Sequence, residues 1–143
     1  MNLLKRLFGK RKTVLVIEDD PQTATLLTRF LKLRGYDATS AEDGVRGIDL
    51  IERDLPDLVL LDIMLPRISG FDVLLKVKSQ PKTKAVPVVV CSALNGIGDI
   101  ERCCKWGAEG YITKPFDLDR VSEKIESILS AGSMEKPASE EKN

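Results

Sequence analysis

Short apolar runs punctuate this chain at regular intervals. TVLVI leads into Glu18-Asp19-Asp20, DLVLL into Asp62, VPVVVC into Ser92, and GYIT into Lys114-Pro115. Runs rich in valine, isoleucine and leucine and bounded by turn chemistry predict buried strands. Helical spacing of apolar residues fills the intervals. The pattern predicts strands at 13–18, 36–40, 57–62, 86–91 and 109–112, and helices at 21–34, 43–53, 70–79, 97–106 and 117–130. Strict alternation of the two implies a parallel sheet whose strands all end at one edge.

Several boundaries carry their own chemistry. Asp20-Pro21 reads as an N-cap followed by proline at the first helical position. Gly35 stops that helix, and Ser40-Ala41-Glu42-Asp43 reads as a capping box for the next. Pro87 falls near the start of its strand, where a missing N–H costs least. In the last helix Leu118, Val121, Ile125, Ile128 and Leu129 recur at helical spacing and form one buried stripe. No internal repeat is visible.

The polar residues closing the runs change the picture from fold to chemistry. Open α/β sheets bind ligands beyond the carboxyl ends of their strands. Acids, a hydroxyl and an ammonium converging there suit phosphoryl and divalent-metal chemistry.

Composition narrows the options. A chain of 143 residues, 43% hydrophobic and 31% charged, fits one soluble domain with a sizeable core. Lysine plus arginine equals aspartate plus glutamate at 22 each, so no nucleic-acid footprint is expected. No apolar stretch reaches the length of a membrane span, and no secretory signal precedes the first strand. The three cysteines, two of them adjacent at Cys103-Cys104, do not form a disulfide framework and fit a reducing cytoplasm. The absence of histidine removes every mechanism that needs an imidazole.

The ends differ from the middle. Residues 1–12 form a basic leader whose Leu3, Leu4, Leu7 and Phe8 fall on one helical face, so contact with an anionic membrane is conceivable; a frayed, solvated leader is the simpler expectation. Residues 131–143 are small, polar and charged, and are expected to be a disordered tail. Domain 13–130 lies between them.

VLVIEDD, LVLLDIMLP with Gly70 following, VVVCSA and GYITKPF occur in order and at matching spacing. With five strands and five helices, this set closely resembles the receiver domain of two-component response regulators over about residues 13–130. The resemblance implies a doubly wound, flavodoxin-like (βα)5 fold with strand order 2-1-3-4-5. It implies Asp62 as phosphoacceptor, Asp19 as a direct Mg²⁺ ligand, Glu18 as a ligand directly or through water, and the Met64 backbone carbonyl as a further ligand. Hard cations take oxygen donors and keep several waters, which suits two carboxylates beside a nucleophile. Asp20 remains a cap. Lys114 would meet the phosphoryl oxygens, and the family usually has a cis peptide before the following proline, here Pro115. Ser92 would donate its hydroxyl to the phosphoryl group, and Tyr111 would be the switch aromatic.

Other positions depart from that pattern or leave choices open. Trp106 is either core or an exposed anchor on the face of the fourth helix, fifth strand and fifth helix, where a downstream protein would bind together with Tyr111. Cys103 and Cys104 are read as buried small hydrophobes. In the family, Met64 and Leu94 occupy positions flanking the path of an attacking water, and both are apolar.

Three functions compete. The first is a single-domain response regulator, phosphorylated by a histidine kinase or phosphotransfer protein, since the residues after the last helix hold no output domain and no helix-turn-helix lies within. It would catalyse only its own phosphorylation and slow hydrolysis. The second is a degenerate receiver acting as a constitutive adaptor. The third is an aspartate-nucleophile phosphatase of the haloacid-dehalogenase type, which places a second aspartate where this chain has Met64.

Overall fold

The computed structural model describes the backbone of residues 9–141 and the side chains of residues 9–131. Five strands form one sheet in the order β2-β1-β3-β4-β5, all parallel. They are β1 (Thr13–Ile17), β2 (Asp37–Ala41), β3 (Leu58–Leu61), β4 (Val88–Ser92) and β5 (Gly110–Thr113). The helices between and after them are α1 (Pro21–Leu33), α2 (Gly44–Asp54), α3 (Gly70–Ser79), α4 (Ile97–Lys105) and α5 (Leu118–Glu141). The expected fold class and strand order are what the structure has.

Side chains of a strand point alternately to opposite faces. In β1, Val14 and Val16 join Leu27 and Leu31 of α1 and Val121 and Ile125 of α5 on one side. Leu15 and Ile17 join Ile51 of α2, Leu74 of α3 and Cys103 of α4 on the other. Two cores therefore sandwich the sheet, and β3 is buried at every position.

Local signals behave as their chemistry requires, with one correction. Asp20 caps α1 by accepting from the Thr23 backbone, with proline in the first turn, and Gly35 follows α1 at φ +98°, a conformation that favours glycine. The expected box at Ser40–Asp43 does not form. Ser40 and Ala41 are still strand, paired with Val16 and Ile17, so the N-cap falls on Asp43 alone. The capping box lies instead at Ser69 and Asp72, at the start of α3. The backbone of α5 runs helical to Glu141, beyond the expected end of the last helix at 130 and through Gly132 and Pro137, which helix propensity disfavours. The leader's apolar face, Leu3 to Phe8, lies outside the described residues. Among the described residues no helix is long and apolar enough to cross a membrane.

Candidate functional site

Sheet hydrogen bonding, carried one residue past three of the strands, assembles the site. The Glu18 amide donates to the Ala41 carbonyl at 3.0 Å, the Asp62 amide to Ile17 at 3.0 Å, and the Lys114 amide to Ser92 at 2.8 Å. Each residue following β1, β3 and β5 is thereby pinned at the carboxyl edge, and Ser92 is the last residue of β4. Residues far apart in sequence meet there because the strands end in register.

Lys114 is the hub. Its Nζ lies 2.7 Å from Glu18 Oε1 and 3.1 Å from Asp62 Oδ2. Both carboxylates are buried, Glu18 at 4% and Asp62 at 6% exposure. The other oxygen of each is also engaged: Glu18 Oε2 accepts from the Asp20 amide and Asp62 Oδ1 from the Met64 amide, both at 3.1 Å. Burial raises the Glu18 carboxyl above its ordinary range, against the pull of the Lys114 and Asp20 hydrogen bonds. Burial alone would lower the Lys114 ammonium, but its bonds and attraction to Glu18 and Asp62 outweigh that and raise it. The peptide between Lys114 and Pro115 is cis, as the resemblance led us to expect.

Asp19 differs from its neighbours. It is exposed and forms no hydrogen bond or ion pair with a described residue. Oxygens of Glu18, Asp19 and Asp62 come within 4.8 Å of one another, forming a three-carboxylate set able to hold a cation. All-oxygen donors with one arm free fit a hard divalent ion that keeps part of its water shell. The Met64 carbonyl accepts no hydrogen bond from a described residue, while its side chain is 57% exposed.

Gly70 explains how the site packs against α3. A Cβ there would stand 2.2 Å from the Asp62 carbonyl oxygen and 2.5 Å from Ile63 Cα. Only glycine lets α3 start this close beneath Asp62.

Ser92 is fully buried, and its hydroxyl oxygen accepts from the Leu94 amide at 3.3 Å. Tyr111, half-buried on β5, donates its hydroxyl to the Leu94 carbonyl. Burial raises the Tyr111 phenol above its usual value, aided by nearby Cys103 and Asp99 and opposed by its interaction with the Ser92 side chain. Trp106 caps the end of α4, meets Phe71 of α3 edge-on, and packs partly buried against the same core cluster as Tyr111 of β5. Cys103 is buried as expected, but Cys104 is exposed, because adjacent helical residues point about 100° apart.

The sequence gives no signal for the far wall of the site. A cleft of about 540 Å³ opens beside Glu18 and Asp19 and runs to Ser40, Asp43, Pro66 and Arg67. Arg67 has φ +68° and pairs with Asp43 at 3.3 Å, joining the loop after β3 to the N-cap of α2. One arginine in a loop carries no periodicity or motif that would single it out.

Known proteins share this arrangement. The family model for the response regulator receiver domain matches residues 14–126. The chain is 34% identical over 118 residues to the polar-differentiation response regulator DivK of Brucella anthropi, covering 82% of this chain and 96% of that protein. It is 36% identical over 116 residues to the DNA-binding dual master transcriptional regulator RpaA of Synechocystis sp., covering 81% of this chain but 48% of that protein. The chain thus spans about half the length of that regulator. The crystal structure of a CheY-like response regulator receiver domain protein from Methanospirillum hungatei superposes with a TM-score of 0.83 at 25% identity, covering 88% of this chain and 99% of that one. Matched by family model, by relatives and by fold, the chain belongs to the response regulator receiver domains of two-component systems.

Proposed function

We propose that this chain is a phosphorylation switch: Asp62 accepts a phosphoryl group from a histidine kinase or phosphotransfer protein, and the phosphorylated form changes its protein partner. The observation that carries this reading is the Lys114 ammonium bridging buried Asp62 and Glu18, with the unpaired Asp19 beside them. A nucleophilic carboxylate and its counter-charge are then in place before the donor arrives.

In the transfer, an Asp62 carboxylate oxygen attacks phosphorus as the bond from phosphorus to the donor nitrogen breaks, and the electron pair leaves with the donor. Asp19, Asp62, the Met64 carbonyl and Glu18, the last directly or through water, would hold a Mg²⁺ ion, which would neutralise charge on the transferring oxygens. Lys114 turns from the Asp62 carboxylate to the new phosphoryl oxygens. Glu18 keeps the base of the site anionic, and Asp20 holds the turn that aims Glu18 and Asp19.

Ser92 then donates to the phosphoryl group, which moves the loop after β4 and frees Tyr111 from the Leu94 carbonyl. The face of α4, β5 and α5 presents that change to a downstream protein. The chain performs its own phosphorylation and slow hydrolysis and has no external substrate: Met64 offers an apolar side chain where a phosphatase of the haloacid-dehalogenase type needs an acid. The three free thiols suit work in a reducing cytoplasm.

The test is intact mass after incubation with a small phosphodonor and Mg²⁺. Wild type should gain one phosphoryl group and Asp62→Asn none; equal labelling of both would remove Asp62 from the role.

A further inference from the structure

We propose that the face where α3 meets α4 docks an acidic, partly apolar peptide segment of another protein, gripped by the Arg102 guanidinium. Arg102 projects from α4 with its Cζ 3.8 Å from the centre of the Phe71 ring and 4.9 Å from that of Trp106. Those two rings meet edge-on, 6.0 Å apart at 84°. The cation is therefore held in place by two aromatic faces, one on α3 and one at the end of α4.

What Arg102 does not do is equally informative. Its guanidinium forms no hydrogen bond or ion pair with any described residue, so its fork of N–H donors is unspent. A guanidinium already fixed by stacking loses little rotamer freedom on meeting a carboxylate, and the planar fork matches a carboxylate with two parallel bonds.

The surrounding charge favours an acidic occupant. Lys105, three residues after Arg102 on the same side of α4, is exposed and paired with no described acid. The nearby acids are directed elsewhere. Asp72 is committed to the capping box of α3, and Asp99 turns back toward Gly96 at the start of α4. Glu101 precedes Arg102 by one residue and so projects about 100° around the helix. Leu75, one turn after Phe71 on the same side of α3, is 47% exposed and offers apolar surface there. Arginine, tryptophan and a second aromatic ring gathered at one place are the residue types that dominate binding energy at protein interfaces. This surface lies on the α3 side of α4, beside the α4–β5–α5 face invoked above and independent of it.

The test selects a displayed library of random short peptides on the immobilised full chain, then measures binding of synthetic copies by the indole N–H signal of Trp106. Enriched peptides should carry Asp or Glu next to a large apolar residue. Arg102→Ala should weaken them about tenfold or more, Arg102→Lys should restore only part, and Leu75→Gln should weaken them independently. Thermal melts confirm that each variant is folded. No enrichment, enrichment of peptides without acids, or unchanged affinity in folded Arg102→Ala would each overturn the proposal.

Discussion

The Tyr111 hydroxyl donates to the backbone carbonyl of Leu94, two residues beyond Ser92, and so ties β5 to the loop that follows β4. Ser92 itself is fully buried, with its oxygen turned to the Leu94 amide. In the proposed switch, Ser92 would turn to a phosphoryl group on Asp62 as that loop moves, withdrawing the acceptor that Tyr111 uses. Phosphorylation then biases a two-state equilibrium by adding bonds available in one state alone. Ser92→Ala should still be phosphorylated but lose most of the change in Trp106 fluorescence, which reports on α4. An undiminished change would remove Ser92 from the switch.

Metal binding separates Asp19 from its neighbours. Glu18 and Asp62 are bonded on both oxygens while Asp19 is exposed, so Asp19→Ala should remove a ligand and leave the fold intact. At about a hundred times its Kd, Mg²⁺ should stabilise wild type by about 2.7 kcal/mol. The variant should lose that rise, and its metal-free melting temperature should be equal or higher because one of three crowded carboxylates is gone. An equal Mg²⁺-dependent rise in both proteins would exclude Asp19 as a ligand.

Alkaline stability should depend on Cys91. Burial raises its thiol from 9.0 to about 12, with smaller and partly cancelling influences from Lys114, Asp62 and Glu18. Between those values the native state keeps a proton that the unfolded chain has released. Stability from this group is therefore whole below pH 9 and falls as pH rises through the window, by up to about 1.4 kcal/mol per unit. Cys91→Ala should flatten that part of the profile, measured by urea titration at several pH values. An identical slope in both proteins would contradict the assignment.

The acyl phosphate should be long-lived. Met64 and Leu94 offer no side chain able to orient a water, so on this reading hydrolysis would draw only on Lys114 and a bound metal. The double variant Met64→Asn, Leu94→Glu should decay several-fold faster in a phosphate-release assay. Decay as fast or faster in wild type would defeat the shielding argument.

The strands and the site were legible in the sequence for one reason: buried parallel strands require unbroken apolar runs, so the polar residue closing each run stands out. Glu18, Asp62, Ser92 and Lys114 all announce themselves this way. Contacts made by surface side chains leave no such mark. The Arg67–Asp43 pair and the Arg102 stack depend on which helix faces meet, which no single run of residues encodes. The misplaced cap at Ser40 has a related cause. Serine followed three residues later by an acid reads as a box until pairing with β1 keeps Ser40 extended, a tertiary effect that overrides the local one.

The central claim is that Asp62 carries the phosphoryl group, and trapping the acyl phosphate tests it most directly. Borohydride reduces an aspartyl phosphate to homoserine, which peptide mass spectrometry locates by residue. After treatment with phosphodonor and Mg²⁺, homoserine should appear at position 62 and nowhere else. Homoserine at another aspartate, or a phosphorylated chain that yields none, would contradict the account.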